Sequence, residues 1–458
     1  MSNLPDEIPE SSAEAAEKLR QANRPAQISS ALHRFYGGKM ETVPRCQIKS
    51  MADFSVWYSP GVAQACLDIK ADPQQIYELT SKWNTVAVIS DGSRVLGLGD
   101  IGAAAGLPVM EGKAMLYKYL GGVDSIGLML DEHDPQRFIE MVLALQPSFG
   151  GINLEDISSP KCCYILDELR KRASIPVWHD DQQGTATVTL AGLLGALALV
   201  GKRIQDVQIA FIGTGAANTA CARLIYARGA DPGRCCHVNI DGILGKHRED
   251  LYARAAEVPH EIDFCERSNA AGRRGGIAEA MRGADVVISL SQPGPGVIKP
   301  EWVQTMAAKA IVFACANPTP EIWPWEAKAA GAAVVATGRS DFPNQVNNSL
   351  CFPGIFRGAL DVRARTISDE MCFAAADALV AHVGSKLAPD CLMPTMDDWE
   401  VFPAIAAAVG MKAQEQGLAG LTMTRENLVA RADFLIRRSR GITEMMMREG
   451  FIESAPEL

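Results

Sequence analysis

The chain has 458 residues, 48% of them hydrophobic and 21% charged, a globular composition long enough for two or three domains rather than one. Its 44 Lys and Arg against 54 Asp and Glu leave a net charge of −10, which excludes the broad cationic surface that sequence-independent nucleic-acid binding needs. The richest apolar run, Val188 to Val200, is shorter than the roughly 18–20 residues of a membrane span and reads as a buried helix. The N-terminus is polar and acidic, without the apolar stretch of a secretory signal. The 12 cysteines are scattered without metal-ligand spacing and read as reduced thiols. A soluble cytoplasmic enzyme is the expected class, with no nucleic-acid or membrane partner.

In chain order, residues 1–30 read as a polar helical lead, with Ser11-Ser12 placed to cap it. Residues 31–185 alternate short apolar runs with helical spacing: Thr85–Ile89 and Ile126–Leu130 as strands, Phe138–Leu145 as a helix. A helix through Leu190–Val200 opens a more regular stretch, 186–400. Strands are expected there at Val207–Ile212, His237–Ile240, Asp285–Leu290, Ala310–Cys315 and Ala332–Ala336. Strands interleaved with helices imply right-handed βαβ units and a parallel sheet covered on both faces. Residues 401–458 read as a helical segment, Phe402–Gln416 and then Arg425–Glu449. The expected fold class is α/β in two domains, an N-terminal α/β domain and a Rossmann-like doubly wound one, with helical ends.

Val207–Ile212 runs into Gly213-Thr214-Gly215-Ala216-Ala217-Asn218, the strand, glycine turn and helix of a dinucleotide site. Gly213 makes the tight turn, and Gly215 lets the backbone approach a pyrophosphate at the helix N-terminus. Asn218 stands where Gly or Ala is usual. The second strand should end in an acid for the adenine ribose; here it ends at Asn239 or Asp241. Asn239 would remove repulsion against a 2′-phosphate, and Lys246, His247 and Arg248 follow, so the segment leans to NADP. A plain solvated loop reads equally well.

Two acidic pairs end apolar, strand-like runs: Glu155-Asp156 after Gly151–Leu154, and Asp180-Asp181 after Ile175–His179. Carboxylates there sit at the mouth of a sheet, where they suit Mg²⁺ or Mn²⁺. Helix capping by Asp156 or Asp181 is the equal alternative. Lys113 follows the glycine-rich run Gly97–Gly102; desolvated near other charges it would serve as a base, and otherwise it is a surface lysine at a helix start. Tyr58 precedes the turn Pro60-Gly61 and reads alike as a core aromatic.

Taken together, these segments resemble the malic enzyme family, the oxidative decarboxylases of malate, from about Leu32 to Gly420. The motifs fall in the family's order: Tyr58–Ala63, Asp91–Gly102, Pro108–Lys113, Gly150–Asp156, His179–Ala186, Gly213–Ala217, Ala316–Glu321, Thr337–Asp341 and Asn344–Ala359. The resemblance implies a malic-type substrate and metal domain over 31–185 and an NAD(P)-binding domain over 186–400. It implies Lys113 as general base at the C2 hydroxyl of malate, Asp180 as the carboxylate beside it, and Tyr58 as the acid protonating C3. It further implies Glu155, Asp156 and Asp181 as metal ligands and Arg94 as partner of a substrate carboxylate. Asn317 and Asn348 match amides that contact nicotinamide and substrate; Gly213, Gly215, Ala216, Ala217 and Asn239 belong to the cofactor site. The cofactor is NAD or NADP, and a homodimer or homotetramer is implied. The chain is shorter than the long bacterial members and is expected to lack their phosphotransacetylase-like extension. The same residues also permit a malolactic-type reaction, oxaloacetate decarboxylation without net cofactor reduction, or a non-catalytic regulatory paralogue.

Overall fold

The structure is a computed structural model that describes residues 24–25, 27–339 and 342–457; the expected cap at Ser11-Ser12 lies outside them. Val62–Ala71 (α1) belongs to an N-terminal arm in which α1 and the short turns before it bury no residue. Next comes the β-branched run Thr85–Ser90 (β1), buried along its whole length, as the middle of a parallel sheet requires. Ala103–Gly121 (α2) leads to Asp124–Met129 (β2), and Pro135–Ala144 (α3) to Gly151–Leu154 (β3). Lys161–Arg172 (α4) leads to Val177–His179 (β4). The sheet is parallel in the order β2-β1-β3-β4. Successive β1 side chains serve opposite faces: Val86 and Val88 join a core with Met110 and Tyr117, whereas Ala87 and Ile89 join Phe138, Ile139 and Ile165.

A π-helical turn, Asp180–Gly184, feeds directly into Thr185–Val200 (α5). The joined segment Asp180–Val200 is long and apolar enough by length and composition to cross a membrane, which corrects the shorter reading from the sequence. Within the fold, 72% of its apolar 18-residue stretch is buried. Its Val188, Leu190 and Leu193 share a core with Trp178 of the first sheet and Phe211 and Phe313 of the second, so α5 is the shared wall between domains.

The second sheet is built from Ile209–Ile212 (β5), Cys236–Asn239 (β6), Gly242–Ile243 (β7), Val286–Ser289 (β8), Ile311–Ala314 (β9) and Val334–Thr337 (β10). Ala216–Ala227 (α6) follows β5, and Pro259–Arg267 (α7) follows β7. The order is β10-β9-β8-β5-β6-β7. All strands are parallel except β7, which folds back against β6; that two-residue hairpin strand had no alternating pattern long enough to be read from sequence. The chain leaves β5 on one side for β6 and returns on the other for β8, so a topological switch point opens beyond the carboxyl end of β5.

Phe352–Asp361 (α8), Asp369–Val383 (α9), Val401–Glu415 (α10) and Arg425–Arg448 (α11) close the molecule. Both α8 and α11 pack on α2, so the helical end returns to the first sheet. The amphipathic tail α11 buries Leu428, Ala432, Leu435 and Ile436. A buried ion cluster ties this layer down: Arg357 donates to both carboxylate oxygens of Asp361 (3.0 and 2.7 Å), and Arg431 of α11 donates to Asp361 Oδ1 at 2.7 Å.

Candidate active site

Lys113 sits in the middle of α2 and is buried, so it is not a surface lysine at a helix start. Its Nζ is 2.9 Å from Glu155 Oε1 and hydrogen-bonds to Asp180 Oδ2. It also stands 4.5 Å over the ring of Phe352 from α8. Each carboxylate gives one oxygen to the lysine and has the other held by a neutral donor. Trp178 Nε1 donates to Asp180 Oδ1 at 3.1 Å, and Asn153 Nδ2 donates to Glu155 Oε2 at 2.8 Å. Tyr117 in turn fixes Asn153, donating to its Oδ1 at 2.9 Å. Gly184 is part of the same device, since a Cβ there would stand 2.0 Å from Asp180 Oδ1 and 3.1 Å from Asn348 Cβ.

Asp156 has a left-handed backbone (φ 52) and caps no helix. Its N–H donates to Asp181 Oδ2 at 2.9 Å, its Oδ1 accepts from Leu96 N–H at 3.1 Å, and its carbonyl accepts from Arg94 N–H at 3.1 Å. Neither Asp156 nor Asp181 is therefore the helix cap that sequence alone left open. Arg94 is exposed and makes no ion pair among the described residues, so its guanidinium is free for a substrate carboxylate.

The electrostatics are those of a site short of positive charge. Burial opposes the charge on Lys113, but Asp180 and Glu155 outweigh it and raise its pKa. Burial pushes the Glu155 and Asp180 carboxyls up, with Lys113 as the opposing influence. Asp156 is pushed up to about 7 by burial and by the nearby charge of Asp181. His179 is lowered by burial, and neither ring nitrogen has a hydrogen-bond partner, although Nδ1 lies 3.7 Å from Asp181 Oδ2.

Glu155, Asp156 and Asp181 fit a hard divalent cation by chemistry: all three offer oxygen, and the buried Asp156 Oδ2 has no hydrogen-bond partner. Among the described residues no three His, Cys, Asp or Glu side chains are already gathered in a geometry that holds a metal ion. Lys113 holds Glu155 and the Asp156 N–H holds Asp181, contacts a cation would have to compete for.

A dinucleotide fits the end of β5. Gly213 has φ 94, and a Cβ there would meet Leu290 O at 2.8 Å, whereas nothing lies within 4 Å of one at Gly215. That leaves the pyrophosphate side of the turn, over Ala216 and Ala217 at the start of α6, open. Asn218 is a brace for the turn, its Nδ2 donating to Ile212 O at 2.9 Å and Gly213 O at 3.0 Å. Arg248 is buried and ion-paired to Asp250 at 2.7 Å, not part of a solvated loop.

Asn317 follows β9, and its carbonyl lies 3.5 Å from where a Cβ on Gly97 would be; the 92–102 loop thus faces the dinucleotide domain across the cleft. Tyr58 is not brought to this cleft. It is 72% exposed, on the arm, and so is not a core aromatic either. Sequence reasoning missed Asn153, Tyr117 and Gly184. Asn153 was findable, because it lies two residues before Glu155 and alternate residues of an extended segment share a face.

A parallel sheet with a lysine–carboxylate cluster at its mouth, facing a doubly wound dinucleotide domain, defines a two-domain nicotinamide-dependent oxidoreductase. The family models for the malic enzyme N-terminal domain and the malic enzyme NAD binding domain match residues 37–170 and 182–414. The chain is 46% identical to an NAD-dependent malic enzyme of Geobacillus stearothermophilus, covering 84% of this chain and 78% of that one. It is 44% identical to a bifunctional malic/malolactic enzyme of Bacillus subtilis, covering 87% and 95%. The crystal structure of Entamoeba histolytica malic enzyme superposes with a TM-score of 0.93 at 45% identity, covering 99% of this chain and 94% of that one. The chain belongs to the malic enzyme family.

Proposed function

We propose that the chain oxidises L-malate at C2 and decarboxylates it to pyruvate and CO₂, reducing NAD or NADP, with Mg²⁺ or Mn²⁺ required. The observation that carries this reading is the buried Lys113 held between two oriented carboxylates, Asp180 and Glu155, at the sheet mouth facing the cofactor turn. A divalent cation on Glu155, Asp156 and Asp181 would supply a Lewis acid at the C2 oxygen, and the nicotinamide would accept the hydride. Arg94 binds a malate carboxylate, and Asn317 and Asn348 hold the substrate against the ring. Lys113 takes the proton of the C2 hydroxyl. It is poised to do so only when Glu155 is drawn away, because in the free protein both carboxylates keep its proton on. Tyr58 returns a proton to C3.

The exposure of Tyr58 supports a homo-oligomer in which a second copy completes the site. The arm that carries it also exposes Met51, Phe54, Val56 and Trp57, a run of apolar side chains of the kind that marks an interface. All twelve cysteines are free thiols, which supports a reducing, cytoplasmic setting.

The test supplies L-malate and Mn²⁺ with NAD or NADP and records reduced cofactor and pyruvate together. Equal amounts of both are expected. Lactate without net reduction would establish instead the malolactic reading, which the Bacillus subtilis relative favours. Turnover of neither kind would remove the catalytic assignment.

A further inference from the structure

We propose that Glu261 is the residue that selects the adenosine end of the dinucleotide, and that it selects an unphosphorylated ribose, so NAD is preferred over NADP. The proposal rests on reading the Gly213–Gly215 turn as a dinucleotide site and goes beyond it in naming the ribose acceptor.

In a doubly wound sheet the adenosine ribose lies beyond the end of the strand next to the glycine turn, and an acid there accepts from its hydroxyls. That strand is β6, and it ends at Asn239, which carries no acidic group. The missing carboxylate comes from α7. Glu261 Oε1 accepts from Thr214 Oγ1 at 2.5 Å, and its two oxygens lie 3.4 and 3.2 Å from Asn239 Nδ2. It thus touches both the residue between the two turn glycines and the last residue of β6, the two elements that frame the ribose.

Two further observations point to a hydroxyl-bearing ligand. Glu261 is 6% exposed and has no Lys, Arg or His ion-pair partner among the described residues. A carboxylate offers about four acceptor positions. Glu261 lies in the first turn of α7, where the helix N-terminus favours its charge, but two neutral donors do not fill those positions. A vicinal diol brings two O–H donors and no charge, which is what such a group lacks.

Of the cations that the sequence placed here for a 2′-phosphate, the buried Arg248 is already engaged and Lys246 is paired at the surface. Arg248 donates to both oxygens of Asp250 at 2.8 and 2.7 Å, lies 3.7 Å from Asp241, and donates to Asn239 Oδ1 at 3.0 Å. Lys246 is 3.4 Å from Glu266. Of the three, only His247 has no carboxylate partner among the described residues. With Asp241, Asp250, Glu261 and Glu266 set against Arg248 and Lys246, negative charge is in surplus, and a 2′-phosphate would enter against like charge. Asn239 therefore does not make room for a phosphate; it orients Glu261.

The experiment measures binding to the full chain by calorimetry, with ADP-ribose and 2′-phospho-ADP-ribose as probes. Neither carries nicotinamide, so the readout is independent of turnover. The wild type is expected to bind ADP-ribose at least about tenfold more tightly, and Glu261→Gln to shrink that ratio by about tenfold. Asp250→Asn, which frees Arg248 without touching Glu261, is expected to tighten binding of the phosphorylated probe alone, and it keeps the charge argument testable if Glu261→Gln does not fold. Equal or inverted preference in the wild type, or an unchanged ratio in Glu261→Gln or in Asp250→Asn, overturns the proposal. Binding of neither probe by the wild type overturns the dinucleotide reading itself, and this proposal with it.

Discussion

Gly184 and His237 show how much one side chain, or its absence, decides. A methyl on Gly184 would stand 2.0 Å from Asp180 Oδ1, so Gly184→Ala pushes away the carboxylate that orients Lys113. A misplacement on the order of 1 Å costs roughly a hundredfold in rate. The expected result is that loss in kcat together with a lower unfolding midpoint, because Asp180 is fully buried and paired with Lys113; wild-type kcat would mean that Asp180 does not position the lysine. His237 lies between the rings of Phe211 and Phe264, 4.8 and 3.7 Å away, and is 2.6 Å from Tyr226 OH. Burial lowers its pKa to about 3, against about 6.5 in an unfolded chain. Between those values the unfolded chain takes up a proton that the native ring refuses, so stability falls as pH drops from about 6.5 toward 3. Thermal unfolding of His237→Phe is expected to lose that part of the acid dependence. A slope matching wild type would show that other groups carry it.

At the scale of elements, α8 governs whether the site is assembled. It carries Phe352 over Lys113 and Arg357 in the buried pair with Asp361, and its register depends on close approach to α10. A Cβ on Gly358 would stand 2.3 Å from Ala406 O, a backbone atom that cannot swing aside. Gly358→Ala is thus expected to cost about 3 kcal/mol by overpacking, read as a lower midpoint in urea unfolding. Unchanged stability would mean that α8 and α10 slide past each other freely. The β6–β7 hairpin acts the same way on the cofactor side, ending β6 where Asn239 meets Glu261.

For the molecule as a whole, one apolar core runs through both domains by way of α5, while the arm bearing Tyr58 stays outside it. If a second copy brings Tyr58 to Lys113, two variants inactive alone complement each other. Tyr58→Phe mixed with Lys113→Ala, after exchange of subunits, is expected to recover malate decarboxylation, because one mixed site holds both native residues. Each variant alone is expected to fall by about a thousandfold. No recovery in a mixture shown to contain hybrid oligomers would place Tyr58 and Lys113 of a site in the same chain.

Local pattern was enough for the strands, because a buried parallel strand reads as a β-branched run, as at Thr85–Ile89, and for the glycine turn, because only glycine takes the backbone of Gly213. It was also enough to single out Glu155, Asp156, Asp180, Asp181 and Lys113 as the chemical groups worth attention. Whether those carboxylates were ligands or caps was not legible. A cap is a contact within a few residues, whereas Lys113 meets Glu155 and Asp180 only because β3 and β4 pair in parallel alongside β1, on which α2 packs. The tertiary structure likewise decided that Asn218 braces the turn, that Arg248 is already neutralised and that Glu261 reaches the end of β6. Each depends on which distant segment lies opposite. Spacing along a chain records the repeat of a helix or a strand; it does not record which elements face each other across a core.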